Sequence, residues 1–68
     1  MIVVVNDRPV EVEGHISVGA LLASMGFPDR GVAVAVDSAV LPRSEWVRRI
    51  SELPSPVRLE VVTAVQGG

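Results

Sequence analysis

Two strongly apolar segments, Ile2 to Val5 near one end and Val57 to Val65 near the other, enclose a single helical stripe, and that arrangement leaves few ways to fold. The first segment is a continuous apolar run, the pattern of a strand covered on both faces or lying centrally in its sheet. The last alternates, with Val57, Leu59 and Val61 on one face and Arg58, Glu60 and Val62 on the other. Both belong at the centre of a sheet. If they are neighbours they must run parallel, because the connection between them carries a helix and acts as a right-handed crossover.

The residues between follow from this frame. Asn6-Asp7-Arg8 reads as a turn, after which Val10 and Val12 alternate with Glu11 and Glu13 as a half-buried strand antiparallel to the first. Pro9, lacking an N–H, belongs at the start of that strand or on an edge. Gly14-His15 breaks the pattern, and Ser17 is placed to cap a helix whose Val18, Leu21, Leu22 and Met25 fall at i, i+3, i+4 and i+7. Gly26 stops it in a left-handed conformation, Phe27 folds back onto its last turn, and Pro28 prevents resumption. Val32 to Val36 sets valines on one strand face and alanines on the other, either of which is able to lie under the helix. Val40 to Arg43 is a short edge strand ended by Pro42, Ser44 to Ile50 an irregular or short helical turn, and Leu53-Pro54-Ser55-Pro56 a stiff connection. The expected order is β-β-α-β-β-β: an α+β fold of ubiquitin-like β-grasp type, with a mixed sheet of four to five strands and one main helix packed across it. One domain is expected over residues 1–68, with a flexible tail from about 65 to 68.

The side chains offer little chemistry. No cysteine occurs, which removes disulfides, thiolate nucleophiles and cysteine-based metal sites together. With one histidine and scattered carboxylates, no metal-ligand set forms. His15 sits in a turn, Glu11 and Glu13 line a solvated face, no serine occupies a nucleophile elbow, and the glycines lack phosphate-cradling spacing. No catalytic residue is expected. Trp46 reads as a core residue, and Arg43 is placed to pair with Glu45 or to cover apolar surface with its stem. A net charge of −2, scattered along the chain, does not suit a grip on nucleic acid. The N-terminus lacks a signal-type leader, and the longest later apolar stretch, Gly31 to Val36, falls far short of the roughly 20 residues of a membrane helix. The expectation is a soluble, cytoplasmic protein without membrane contact. All six basic residues are arginine, so no internal lysine amine is present to receive a modification.

That leaves the end of the chain. Ala64-Val65-Gln66-Gly67-Gly68 closes on two glycines, which give nothing to a core and lose the most backbone freedom on ordering. A slim tail of this kind is suited to entering a narrow cleft on another protein and presenting the Gly68 carboxylate there. Val65, Gln66, Gly67 and Gly68, fully extended, reach at most about 13 to 14 Å. Val62 and Ala64 are the candidates for a partner-docking surface beside it, since exposed apolar positions next to such a tail need a reason, and burial in the sheet is their alternative role.

The β-grasp order, the segment Val40-Leu41-Pro42-Arg43-Ser44-Glu45-Trp46 and the ending Ala64-Val65-Gln66-Gly67-Gly68 together resemble the ThiS family, the sulfur carrier proteins of thiamine biosynthesis. Family members commonly show a P-R-x-x-W element after the third strand and an A-V-x-G-G ending. The chain departs from them in two turns, with Asn6-Asp7 where Asn-Gly is frequent and Leu53-Pro54-Ser55-Pro56 where Gly-Asp is usual. The resemblance implies a protein co-substrate, not an enzyme. An E1-like adenylyltransferase (ThiF type) using ATP and metal ions would adenylate Gly68. Sulfur from a donor such as a cysteine desulfurase would convert it to a thiocarboxylate, and thiazole synthase (ThiG type) would take the sulfur. No cofactor would be held by this chain. Alternatives are a MoaD-type carrier for molybdopterin or another pathway, a β-grasp interaction module without such chemistry, and conjugation of Gly68 to another protein.

Overall fold

The computed structural model describes residues 1–63. Five strands, β1 (Ile2–Val5), β2 (Arg8–Glu11), β3 (Val32–Val36), β4 (Ala39–Leu41) and β5 (Arg58–Thr63), form one sheet in the order β2-β1-β5-β3-β4. As the apolar pattern requires, β1 and β5 lie side by side and parallel, with Val4 opposite Arg58 and Val5 opposite Leu59. The hairpins β1–β2 and β3–β4 and the β3–β5 pair are antiparallel. One helix, α1 (Val18–Ser24), packs on one face, the ubiquitin-like β-grasp arrangement.

With a single helix, only one sheet face is covered. β1 is central but not covered on both sides: Val3 and Val5 are buried, whereas Ile2 is 54% exposed on the open face. In β3 the ambiguity resolves with Val34 and Val36 buried and Ala33 exposed, so the larger side chains face the helix. β2 ends at Glu11, earlier than the alternation suggests, although Val12 still exchanges hydrogen bonds with Met1, through its N–H (2.8 Å) and its carbonyl (2.9 Å). Arg8 lies in β2 and not in the turn, because Asn6 and Asp7 alone close the hairpin with φ of 50° and 67°. Positive φ at both central residues is the two-residue turn whose twist matches that of the flanking strands.

Helix α1 is built as its cap residues dictate. The Ser17 hydroxyl accepts from the Ala20 N–H (3.1 Å) and the Ser17 carbonyl from the Leu21 N–H (3.0 Å). The two remaining orphan donors of the first turn are met from a distant segment: Val18 N–H donates to the Arg48 carbonyl and Gly19 N–H to the Trp46 carbonyl, both at 3.0 Å. Gly26 takes φ 89° after the last turn, and Phe27 folds back through its N–H to the Leu22 carbonyl (3.0 Å). Met25 does not extend the buried stripe. It is the C-cap and 38% exposed, leaving Val18, Leu21 and Leu22 as the face that packs.

The connection from β4 to β5 contains two 3-10 turns, Arg43–Glu45 and Ile50–Glu52. Their inward residues Trp46, Ile50 and Leu53 are buried and close one side of the core over Leu21, Val57 and Leu59. Trp46 is a core residue, as so small a domain requires. Among the described residues no buried side-chain nitrogen or oxygen lacks a hydrogen-bond partner.

Candidate functional site

Of the functional residues named from the sequence, Val62 is described, near the end of β5, and that end is held differently on its two sides. Toward β3 the ladder runs to the last described residue, with Ala33 opposite Val62 and Val32 opposite Thr63. Toward β1 it runs only to Leu59, because the chain turns away at Asn6. The backbone N–H of Asn6 still donates to the Leu59 carbonyl (3.0 Å), continuing the bond from Val4 N–H to the Val57 carbonyl (3.0 Å). From there the Asn6 side chain takes over. Its Oδ1 accepts from Val61 N–H (2.7 Å) and its Nδ2 donates to the Val61 carbonyl (3.1 Å). The sequence marks Asn6 only as a turn residue, because its partner lies 55 positions away.

Val62, named as a docking candidate, is 64% exposed on the open face and not buried in the sheet. Ala33 stands opposite it on β3, and Val40 on the adjoining β4 is 76% exposed. Val40 stands opposite Ala35, whose other neighbour is Glu60, so Val62, Ala33, Ala35 and Val40 form a diagonal apolar strip with one carboxylate beside it, on the far side of the sheet from α1. Arg58 and Glu60 share the open face farther back along β5, where Arg58 pairs with the exposed Asp7 carboxylate at 3.1 Å. Ala64, Val65, Gln66, Gly67 and Gly68, the other site residues named from the sequence, lie outside the described residues.

Away from the strand end, a cleft of about 310 Å³ opens between α1 and the first 3-10 turn, lined by Leu22, Phe27, Trp46 and Val47 among others. At its lip the Arg43 guanidinium stacks 4.7 Å above the Trp46 ring and donates to the Asp29 carbonyl. Arg43 therefore covers apolar surface and does not pair with Glu45. The Trp46 indole N–H donates to the Leu41 carbonyl (3.3 Å). The Pro42 to Trp46 element thus bolts the β4 end to the helix-side core. His15 is exposed in its turn with Nε2 3.1 Å from the Glu13 carboxylate, also exposed. Among the described residues no group of three or more histidine or acidic side chains converges as a metal site, and no helix is long and apolar enough to cross a membrane.

Comparison with known families finds a match over nearly the whole chain. The model of the ThiS family matches residues 3–68, including both terminal glycines. No curated protein matches the chain.

Proposed function

This chain belongs to the ThiS family of small sulfur carrier proteins, and we propose that it carries sulfur as a thiocarboxylate on Gly68 for formation of the thiamine thiazole ring. The observation that carries the reading is that the family match runs through Gly67 and Gly68. The pathway assignment leans on Pro42, Arg43 and Trp46, whose stacking and hydrogen bonds give that element a structural purpose of its own.

The chemistry assigns no acid or base to this chain. The Gly68 carboxylate oxygen attacks the α-phosphorus of ATP on an E1-like partner of ThiF type, and pyrophosphate leaves. A persulfide, formed on a donor such as a cysteine desulfurase, attacks the acyl carbon through its outer sulfur and displaces AMP, and a thiol reductant then cleaves the resulting acyl disulfide, itself becoming oxidised to a disulfide. The product is a terminal thiocarboxylate, which passes its sulfur to a thiazole synthase of ThiG type. Metal ions act on ATP in the partner, and this chain holds no cofactor. Its contribution is to be slim at Gly67 and Gly68, to lack a competing thiol, and to dock so that the reacting carboxylate is positioned. The diagonal strip of Val62, Ala33, Ala35 and Val40, with Ala64 following Val62 closely in sequence, is the docking surface we assign, since an exposed apolar patch is the kind of surface that a protein partner covers.

Intact mass spectrometry after incubation with ATP, the E1-like partner and a sulfur donor tests this. The expected result is a mass gain equal to exchange of one oxygen for sulfur, lost on deleting Gly67 and Gly68. A gain that survives the deletion sinks the proposal. Loss of the protein is expected to create a thiamine requirement; a requirement for molybdenum cofactor instead would move it to the molybdopterin branch.

A further inference from the structure

We infer that Asn6 is a positioning residue for the carrier reaction: its side-chain amide stands in for a missing stretch of β1 and fixes the point from which β5 delivers the reactive end. The inference rests on the carrier reading for its consequence, though not for its geometry. In a parallel pair, alternate residues of one strand exchange N–H and C=O with the neighbour. Val4 and Asn6 follow that rule through their backbone N–H groups. At Asn6 the backbone enters the left-handed region (φ 50°), which swings its own carbonyl out of the ladder. The side-chain carbonyl replaces it as acceptor for Val61 N–H, and the side-chain N–H₂ supplies the next donor, to the Val61 carbonyl. Asparagine is the residue that tolerates this φ and carries both a donor and an acceptor on one short planar group.

The consequence falls on the strand end. Backbone groups of a central strand alternate between its two neighbours, so the amides of Glu60 and Val62 serve β3 while the Val61 N–H has Asn6 Oδ1 as its acceptor. Removing the amide leaves β5 from Val61 to Thr63 attached on the β3 side alone, only two residues before Val65. A reactive group five to seven residues from a loosened root is harder to hold in an attacking geometry, even when the body is docked.

Asn6→Gly tests the clamp without straining the turn, because glycine accepts φ 50°. Asp7→Gly, at φ 67°, is the control that alters the same turn and keeps the amide. By hydrogen exchange, the Val61 amide of Asn6→Gly is expected to exchange about tenfold or more faster, for the loss of its acceptor, and that of Asp7→Gly to stay near the parent. In ATP–pyrophosphate exchange with the E1-like partner, Asn6→Gly is expected to lower kcat severalfold at unchanged KM, since docking is intact and positioning is lost. Asp7→Gly is expected to leave both unchanged. Unchanged Val61 exchange in Asn6→Gly, or a kcat equal to the parent's well below its melting temperature, overturns the inference. If the parent chain itself supports no exchange of pyrophosphate, the carrier reading fails, and the hydrogen-exchange comparison still decides the clamp.

Discussion

Val61 and Val62 are the same residue in consecutive positions of one strand, yet one is 7% and the other 64% exposed. The face that carries Val61 also carries Val57 and Leu59 and meets Val18, Leu21 and Leu22 of α1, with Trp46 and Ile50 closing the side. The face that carries Val62 has no layer packed on it among the described residues. A strand's two-residue period separates the faces automatically, but nothing in folding demands an apolar residue on the open one. Valine on the inner face is explained by the hydrophobic effect within this chain, and valine on the outer face, which strand propensity alone accommodates, is where the proposed partner would dock.

The largest expected effect breaks the inner face. At about 0.05–0.15 kcal/mol per residue, a chain of this length has roughly 3 to 10 kcal/mol of stability. Leu59 is 1% exposed, and Leu59→Ala is expected to cost about 2 to 5 kcal/mol by lost transfer free energy and the cavity left behind. Urea unfolding measures it. The same truncation on the other face, Val62→Ala, is expected to stay within about 0.5 kcal/mol. Comparable costs for the two would mean that the open face contributes to the fold, and its partner-docking role would lose its argument.

The reverse asymmetry is expected in binding. Val62→Asp puts a charge into the strip of Val62, Ala33 and Val40, and is expected to raise the KM of the carrier in partner-dependent pyrophosphate exchange about tenfold, equivalent to about 1.4 kcal/mol. Its own stability is expected to move by less than about 1 kcal/mol, the span of strand propensities. An unchanged KM removes Val62 from the interface.

How far these faces were legible in the sequence depended on whether the cause was local. The Ser17 cap, the Gly26 stop, the inward row Val57, Leu59, Val61 and the parallel pairing of β1 with β5 follow from spacing and chain connectivity, and each is present. The exposure of Ile2 was not legible, because a continuous apolar run looks alike whether one sheet face or two are covered, and only the count of helices decides. Met25 fits the helical stripe by spacing, but the helix ends one residue before it. The bonds of Asn6 to Val61 and of Arg43 to the Asp29 carbonyl join residues far apart in sequence, and no periodicity encodes them. At the candidate site, therefore, alternation put Val62 on the face of Arg58 and Glu60 but left open whether that face was covered, and the residue that clamps its neighbour was not legible at all.

The smallest expected effect concerns how tightly the inner face is closed. Gly19 lies in the first turn of α1 against the Trp46 segment, and a Cβ placed there would come 3.6 Å from the Trp46 carbonyl oxygen and 3.8 Å from the Trp46 Cβ. Both are ordinary van der Waals separations, so the helix does not need glycine for clearance. Alanine loses less backbone entropy on entering a helix, and Gly19→Ala is expected to stabilise the chain by about 0.5 kcal/mol. In a domain of this size that raises the melting temperature by roughly 2 to 4 °C. The Gly19 N–H is retained in alanine, so its bond to the Trp46 carbonyl survives the change. A fall in melting temperature would show that the helix and the Trp46 turn are already in contact too close to admit one methyl group. Pyrophosphate exchange with the partner is expected to be indifferent to this substitution, because Gly19 lies on the helix side of the sheet while the docking strip lies on the other. If activity fell while stability rose, the α1 side would also have to contact the partner, and the division of labour between the two faces would be wrong.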